Sequence, residues 1–241
     1  MLIVKRDSKS VAAEAFRTLR TNIQYSSIDK EIRTIMCTSA GPAEGKSSTI
    51  GNLALTLAGT DKKVLIIDCD MRKPSIHKKF RLSNATGLSD YLTGEVDLVD
   101  AIHKVESKLD IITSGPVPPN PAEMLSSKKM KDFMEDLKQQ YDYILLDTPP
   151  VIAVTDAQVL ASEVDGVVLV VASKEADKDA VVRAKELLNK VNANILGVVL
   201  NKTELRSGKG YGYSYQYYYY YGENEKHKKN KKGIFKKKNA S

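Results

Sequence analysis

The stretch SAGPAEGKSST, residues 39–49, decides the interpretation of this 241-residue chain. An apolar run at 33–39 leads into it, and a helix-like segment at 46–59 begins within it. A strand, a glycine-containing loop, Lys-Ser and a helix form the context that a P-loop requires. Backbone N–H groups and the positive end of the helix then face phosphate oxygens. The stretch therefore predicts a nucleotide phosphate site.

Within this P-loop we expect Lys46 to reach the β- and γ-phosphates and Ser47 to ligate Mg²⁺. One departure is that the spacing G-x-x-x-x-G-K-S needs glycine at 40, where the chain has Ala40 followed by Gly41. The predicted nucleotide contacts are Gly41, Pro42, Ala43, Glu44, Gly45, Lys46, Ser47 and Ser48.

The rest of the chain alternates apolar runs with helix-like segments. The further runs are 63–70, 109–115, 141–150, 165–173 and 194–201, and the further helical segments are 121–140, 155–163 and 177–191. Runs that are apolar on both faces are typical of parallel strands covered by helices. We therefore predict a doubly wound, mostly parallel α/β sheet, with ligands beyond the carboxyl ends of its strands.

Acidic residues end two of these runs. VLIIDCDMRKP (64–74) carries Asp68 and Asp70, which point to the same side if the strand alternation continues, and ILLDTPP (144–150) carries Asp147. Carboxylates at this edge suit a metal-bound triphosphate and a hydroxyl that must lose its proton. We expect Asp147 to hold Mg²⁺ directly or through water.

Charge and cysteine content exclude several classes. The chain carries +7, but ten Lys or Arg and two Glu in 206–241 give that segment +8 and leave 1–205 near −1. The body therefore has no nucleic-acid footprint. Because the strand and helix signals stop at Arg206, we place a domain boundary between 205 and 206. Cys37 and Cys69 form no C-x-x-C pair, which excludes a disulfide framework, a zinc site and a cluster scaffold.

Targeting and membrane signals are also missing from the sequence. The start MLIVKRD is too short an apolar run for a signal peptide, and no stretch approaches the ~18 apolar residues of a membrane span. The basic segment 206–241 is expected to be a mobile tail, which could also lie near an anionic membrane surface.

The tail contains YGYSYQYYYYYG, residues 211–222, which shows neither helix nor strand periodicity. It is either a low-complexity end or a set of substrate phenols. Its tyrosines are Tyr211, Tyr213, Tyr215, Tyr217, Tyr218, Tyr219, Tyr220 and Tyr221.

An N-terminal helix is expected at about 10–25. Glu14, Arg17 and Arg20 have three-residue spacing and share one side of it. Taken alone, this pattern indicates a solvated charged face.

Together the motifs resemble the bacterial tyrosine kinase (BY-kinase) family, the cytoplasmic kinase half of capsule and exopolysaccharide systems. The resemblance covers nearly the whole chain. It lies in EAFRTLRTNI, AEGKSS, VLIIDCDMRKP, GLSDYLTG, IITSGPVPPNPAEMLSS, YILLDTPPV, GVVLNK and the tyrosine cluster.

The resemblance implies ATP and Mg²⁺ at Lys46 and Ser47, with the aspartates as the second and third Walker elements. It implies ring-shaped self-association through Glu14, Arg17 and Arg20, and phosphorylation of tail tyrosines between subunits. It also implies a separate transmembrane activator that recruits a cytoplasmic kinase to the inner face of the membrane, other protein substrates, and regulation of polysaccharide synthesis or export.

The expected reaction moves the γ-phosphoryl of MgATP to a tyrosine hydroxyl. Asp68 is the first choice for the base and Asp70 for a water-mediated metal contact, although the sequence does not separate them. Arg72 either contacts phosphate or a neighbouring subunit or is a plain surface residue, and Asn201 and Lys202 are candidates for contact with the adenine.

The main alternative is a MinD/ParA-like regulatory ATPase that acts as a membrane-recruited switch. Such proteins usually carry an additional lysine in a K-G-G-x-G-K loop, which is missing here, and lack a tyrosine tail. Cluster carriers need the absent C-x-x-C, and a non-catalytic adaptor would not need the complete set of lysine, serine and aspartates. No H-R-D or D-F-G motif of eukaryotic-type kinases is present.

Overall fold

The computed structural model describes residues 2–26 and 31–204, which contain a seven-stranded sheet. Its strands are β1 (Thr34–Ser39), β2 (Val64–Asp68), β3 (Ile102–Glu106), β4 (Leu109–Ile112), β5 (Tyr143–Asp147), β6 (Gly166–Ala172) and β7 (Ile195–Asn201). Their spatial order is β3-β4-β2-β5-β1-β6-β7. Every neighbouring pair is parallel except β3 with β4. The doubly wound, mostly parallel α/β fold is therefore confirmed.

Helices cover both faces of this sheet. They are α1 (Ile3–Arg6), α2 (Val11–Gln24), α3 (Lys46–Ala58), α4 (Ile76–Phe80), α5 (Leu88–Thr93), α6 (Leu98–Ala101), α7 (Pro121–Leu125), α8 (Lys128–Lys138), α9 (Asp156–Ala161) and α10 (Lys178–Lys190).

The two faces form two separate apolar cores. Because side chains alternate along a strand, Ile35 packs in the core that contains α3, and the next residue, Met36, packs in the core that contains α8 and α9. The central strands β1 and β2 are buried along their whole length, which explains their continuous apolar sequence.

Several elements differ from the sequence prediction. The short helices α1, α4, α5 and α6 were not predicted. The expected helix at 121–140 is two helices, because Ser127 leaves helical geometry and caps α8 by accepting a hydrogen bond from the Met130 N–H. Strand β3 was not predicted. It lies antiparallel at the sheet edge, is only half-buried, and therefore lacks a continuous apolar run.

The N-terminal region carries α2 where the sequence predicts a helix. Ser10 caps it by accepting from the Ala13 N–H at 3.2 Å. The boundary near 205 stays a prediction, because the tail lies outside the described residues. Within 2–26 and 31–204, no helix is both long enough and apolar enough to cross a bilayer.

Candidate active site

The P-loop follows β1 and ends where α3 begins. Gly41 to Gly45 form the loop, and Lys46, Ser47 and Ser48 form the first turn of α3. Ala43 and Gly45 have left-handed backbones, with φ of 59° and 100°. Gly45 is the N-cap of α3 and supplies no side-chain cap, so the first N–H groups of the helix remain available to an anion. This is the arrangement that a phosphate group requires.

Two side chains connect the P-loop to the ends of β6 and β7. The Glu44 carboxylate accepts hydrogen bonds from the Gly41 N–H at 2.6 Å and the Ala172 N–H at 2.9 Å. Asn201 donates from Nδ2 to the Glu44 carbonyl at 2.9 Å. Glycine is required at 45, since a Cβ there would come within 2.0 Å of the Asn201 Nδ2. The predicted contact residue Asn201 is thus part of the loop's support.

The first aspartate, Asp68, ends β2 directly opposite Asp147 at the end of β5. Its Oδ2 accepts from the N–H groups of Ser75 and Ile76, both at 3.0 Å, and its Oδ1 accepts from the Asp70 N–H at 3.2 Å. Asp68 is completely buried, and burial is the main cause that raises its pKa. It shapes the loop that follows β2.

Asp147 differs from Asp68 in its hydrogen bonding. Both of its carboxylate oxygens are buried, and neither accepts a hydrogen bond of normal geometry from the part of the chain that the structure describes. Burial and then the charge of Asp68 raise its pKa well above the ordinary value, whereas Ser47 and Lys46 act in the opposite direction. The Ser47 hydroxyl itself accepts from the Ser75 hydroxyl at 2.6 Å. A buried carboxylate without such a hydrogen bond, next to a hydroxyl, is a suitable ligand for a cation.

Asp70 is the most accessible of the three aspartates, with 9% of its surface exposed. Its Oδ1 accepts from the Lys73 N–H at 3.0 Å. Burial raises its pKa, and the hydrogen bond from Lys73 and the charge of Lys46 oppose the rise. A reacting group from solvent can therefore approach Asp70 more easily than Asp68.

These residues fit Mg²⁺ that arrives with a nucleotide. Over the described ranges, no group of three or more His, Cys, Asp or Glu is arranged to hold a metal ion by itself. Mg²⁺ usually binds through one or two carboxylates together with substrate phosphates. The orphaned oxygens of Asp147 and the Ser47 hydroxyl are hard oxygen ligands of that kind.

One ion pair at the site was not predicted from the sequence. Arg72 donates from Nε and Nη2 to the two oxygens of Asp156, at 3.0 and 3.1 Å. Asp156 is fully buried at the start of α9, whereas the Arg72 side chain is 42% exposed. The pair joins the loop after β2 to the helix after β5. The only sequence signal for it was an aspartate at the predicted start of a helix.

Other predicted residues lie outside this cluster. Arg17 forms an ion pair with Glu14 at 2.6 Å on the exposed side of α2. Arg20 donates to the Thr56 carbonyl of α3 at 3.0 Å. Lys202 pairs with Glu175. The tail tyrosines Tyr211 to Tyr221 fall outside the described residues.

Comparison with known proteins places this geometry in a class and a family. The ParA family model, described as NUBPL iron-transfer P-loop NTPase, matches residues 31–235. The tyrosine-protein kinase YwqD of Bacillus subtilis (strain 168) is 44% identical over 205 residues, which cover 85% of this chain and 86% of that protein. The crystal structure of the chimerical protein CapA2B2 has a TM-score of 0.81 at 42% identity, covering 84% of this chain and 89% of that one.

The fold and the P-loop define a nucleotide-binding P-loop NTPase of the ParA class. Within that class the chain belongs to the family of bacterial tyrosine kinases, as its motifs imply. The septum site-determining protein MinD of Pyrococcus horikoshii is also similar, with a TM-score of 0.61 at 24% identity over 73% of this chain and 72% of that one. That likeness concerns the fold alone, so the regulatory-ATPase alternative is less well supported than the kinase.

Proposed function

We propose that the chain transfers the γ-phosphoryl group of MgATP to tyrosine hydroxyls, first on its own C-terminal cluster and then on other proteins. The observation that carries this proposal is the position of Asp68 directly opposite Asp147 in the register of two adjacent strands, close to the P-loop lysine. Carboxylates in that position serve a metal-bound triphosphate and a phenol that must lose its proton.

Binding and orientation of ATP are assigned to the P-loop. The N–H groups at the start of α3 hold the phosphates, and Lys46, which is 92% buried (8% exposed), neutralises charge that develops on the γ-phosphoryl group. Ser47 and Asp147 hold Mg²⁺, which supplies charge neutralisation on the phosphate oxygens. Because transfer depends mainly on positioning, these contacts account for most of the expected rate enhancement.

The proton acceptor is one of two carboxylates. The raised pKa of Asp68 suits proton uptake, but its oxygens are held by three backbone N–H groups inside the protein. Asp70 is more accessible to a phenol. Asp68 remains our first candidate, with Asp70 as the water-mediated metal contact. Comparison of Asp68→Asn with Asp70→Asn tests the choice, since loss of the base lowers kcat at saturating MgATP without a matching change in nucleotide affinity.

The acceptors are proposed to be the eight tyrosines between 211 and 221 of a neighbouring subunit. β7 ends at Asn201 beside the P-loop, so the chain leaves the sheet at the edge that carries the site. Six residues separate Glu204 from Tyr211. A chain of that length spans at most roughly 25 Å. Tyr211, the first of the eight, can therefore lie no farther than this from the end of the described chain, and the later tyrosines can reach farther towards a neighbouring subunit.

The proposed oligomer, activator and protein targets are inferred from the family to which the chain belongs. We infer a ring-like homo-oligomer formed through Glu14, Arg17 and Arg20, and a transmembrane activator that recruits the kinase to the cytoplasmic face of the membrane. Protein substrates in polysaccharide synthesis or export are the proposed targets. Support comes from the relatives, which include a putative tyrosine-protein kinase in the cps region of Klebsiella pneumoniae.

Incubation with MgATP followed by peptide mapping of phosphotyrosine tests the function. We expect label on the 211–221 peptide, none in Lys46→Met, and little in a variant with all eight tyrosines changed to Phe. The eight-Phe variant should still phosphorylate an added protein substrate, because its P-loop and aspartates are intact. Normal labelling of the eight-Phe variant at Tyr25, Tyr91, Tyr141 or Tyr143 would refute the acceptor assignment, and ATP hydrolysis with no phosphotyrosine would favour the regulatory ATPase.

A further inference from the structure

We propose that Glu44 is a positioning residue, whose carboxylate holds the P-loop in its phosphate-binding shape and does not itself contact the nucleotide. The inference rests on the proposed nucleotide site and assigns a role within it. The sequence alone predicts Glu44 only as one of the P-loop residues that contact the nucleotide.

The carboxylate is buried and directed into the protein. Glu44 is 5% exposed, and its two oxygens accept from the N–H groups of Gly41 and Ala172 at 2.6 and 2.9 Å. An ionised carboxylate has two acceptor oxygens and no proton, so it can satisfy both N–H groups at once. Such charge-assisted hydrogen bonds are stronger than neutral ones.

These two bonds join distant parts of the chain. The Gly41 N–H belongs to the first turn of the loop, and Ala172 is the last residue of β6, 128 positions from Glu44. The Gly41 N–H is therefore used internally and is not a phosphate donor. Ala43, the residue before Glu44, has a left-handed backbone, a conformation that costs free energy in a non-glycine residue, so the loop needs contacts that stabilise it. The two hydrogen bonds of the Glu44 carboxylate, to Gly41 and to Ala172, are contacts of this kind.

The proposal makes a prediction opposite to that of simple electrostatics. A negative charge near a triphosphate repels it, so charge alone predicts that Glu44→Gln binds nucleotide more tightly. A glutamine, however, keeps only one acceptor oxygen, and its NH₂ group would face the second backbone N–H. The positioning role therefore predicts weaker binding. Glu44→Asp keeps the charge but is shorter by one methylene, so it fails to reach both N–H groups and should weaken binding as well.

Calorimetric titration of the full chain with MgADP decides between these possibilities. We expect about tenfold weaker affinity in both Glu44→Gln and Glu44→Asp, the size expected when a buried N–H loses its acceptor. At saturating MgATP, kcat should fall less than KM rises. The control is Glu163→Gln, which removes one charge from an exposed pair with Lys131 and should bind like the wild type.

Equal or tighter binding by Glu44→Gln would overturn the proposal, and so would wild-type affinity in Glu44→Asp. If Glu44→Gln does not fold, as judged by circular dichroism, Glu44→Asp decides alone. A wild type that binds no MgADP would instead remove the proposed function, so the two failures are distinguishable.

Discussion

Two buried aspartates, one at the end of β5 and one in the helix that follows it, differ in whether their carboxylates have a partner. Asp156, at the start of α9, is fully buried and is paired bidentately with Arg72. Asp147, at the end of β5, is 1% exposed, and neither of its oxygens has a partner of normal geometry within the described ranges. A buried carboxylate is normally paired, because an isolated charge is costly to desolvate. Asp156, which supports the structure, is thus paired, whereas Asp147, which lies beside the P-loop, has no such partner among the residues that the structure describes.

The position of Asp147 adds to its cost. Asp68 lies opposite it in the sheet register, and the charge of Asp68 adds to burial in raising the pKa of Asp147. A cation that accompanies a bound nucleotide would relieve this repulsion, and Mg²⁺ is the cation that we propose.

The largest effect is expected from Asp147→Asn. Phosphotyrosine formation should fall about 10²- to 10³-fold, the range for losing one group that stabilises transition-state charge. The nucleotide-free protein should be as stable as the wild type or more so, because the substitution removes a buried like charge. Kinase assays and urea unfolding measure the two quantities. A strongly destabilised variant would mean that Asp147 has a structural role like that of Asp156.

The same substitution has a pH signature. Asp147 has a folded-state pKa above its unfolded value, so the unfolded state binds fewer protons than the folded state between those two pKa values, and wild-type stability is lost as pH rises through that window. The stability advantage of Asp147→Asn should therefore grow from about pH 4, the ordinary pKa of an aspartate, towards neutrality. A constant difference between the two proteins over this range would contradict the raised pKa.

The Arg72–Asp156 pair should show an intermediate, asymmetric effect. Arg72→Gln leaves a fully buried carboxylate without its partner and should cost about 2–4 kcal/mol of unfolding free energy. Asp156→Asn releases a guanidinium that is already 42% exposed and should cost only about 1 kcal/mol. The double variant should resemble Asp156→Asn, since no buried charge remains. Additive losses in this double-mutant cycle would show that the pair is not coupled.

The smallest effect on stability is expected at the exposed pair. Replacing Glu14, Arg17 and Arg20 by alanine removes this surface ion pair, which contributes little, and the hydrogen bond from Arg20 to the Thr56 carbonyl, which contributes about 1 kcal/mol. The unfolding free energy should therefore fall by less than about 2 kcal/mol. The proposed ring should nevertheless dissociate to monomers in light scattering. The matched control, Glu163→Ala with Lys131→Ala, removes another exposed pair and should leave the assembly intact. An oligomer that survives the triple substitution would exclude α2 as its interface.

Local patterns were sufficient to predict the sheet and the P-loop. The fully buried strands are continuous apolar runs, and the Gly45-Lys46-Ser47 turn lies between a strand and a helix. Strand β3 was missed because an edge strand that is half-buried lacks that pattern. The break in 121–140 was missed because the sequence does not show whether Ser127 lies inside a helix or, as in the structure, caps the start of a new one.

The contacts that hold the site together were much harder to predict from the sequence. Arg72 and Asp156 are 84 residues apart, and Glu44 and Ala172 are 128 apart. Such contacts depend on how the strands are ordered in space, which local sequence does not encode. Sequence identified the acids that could bind a ligand but could not distinguish the unpaired Asp147 from the paired Asp156.

The most direct test of the central claim measures how Mg²⁺ changes the stabilisation by ADP. A ligand that binds only the folded state raises its melting temperature. We predict that the melting temperature of the wild type is higher with ADP and Mg²⁺ than with ADP and EDTA. In Asp147→Asn, ADP should still raise the melting temperature, but Mg²⁺ should add no further increase. An undiminished Mg²⁺ increment in Asp147→Asn would contradict the claim that its unpaired carboxylate is reserved for the metal that accompanies the nucleotide.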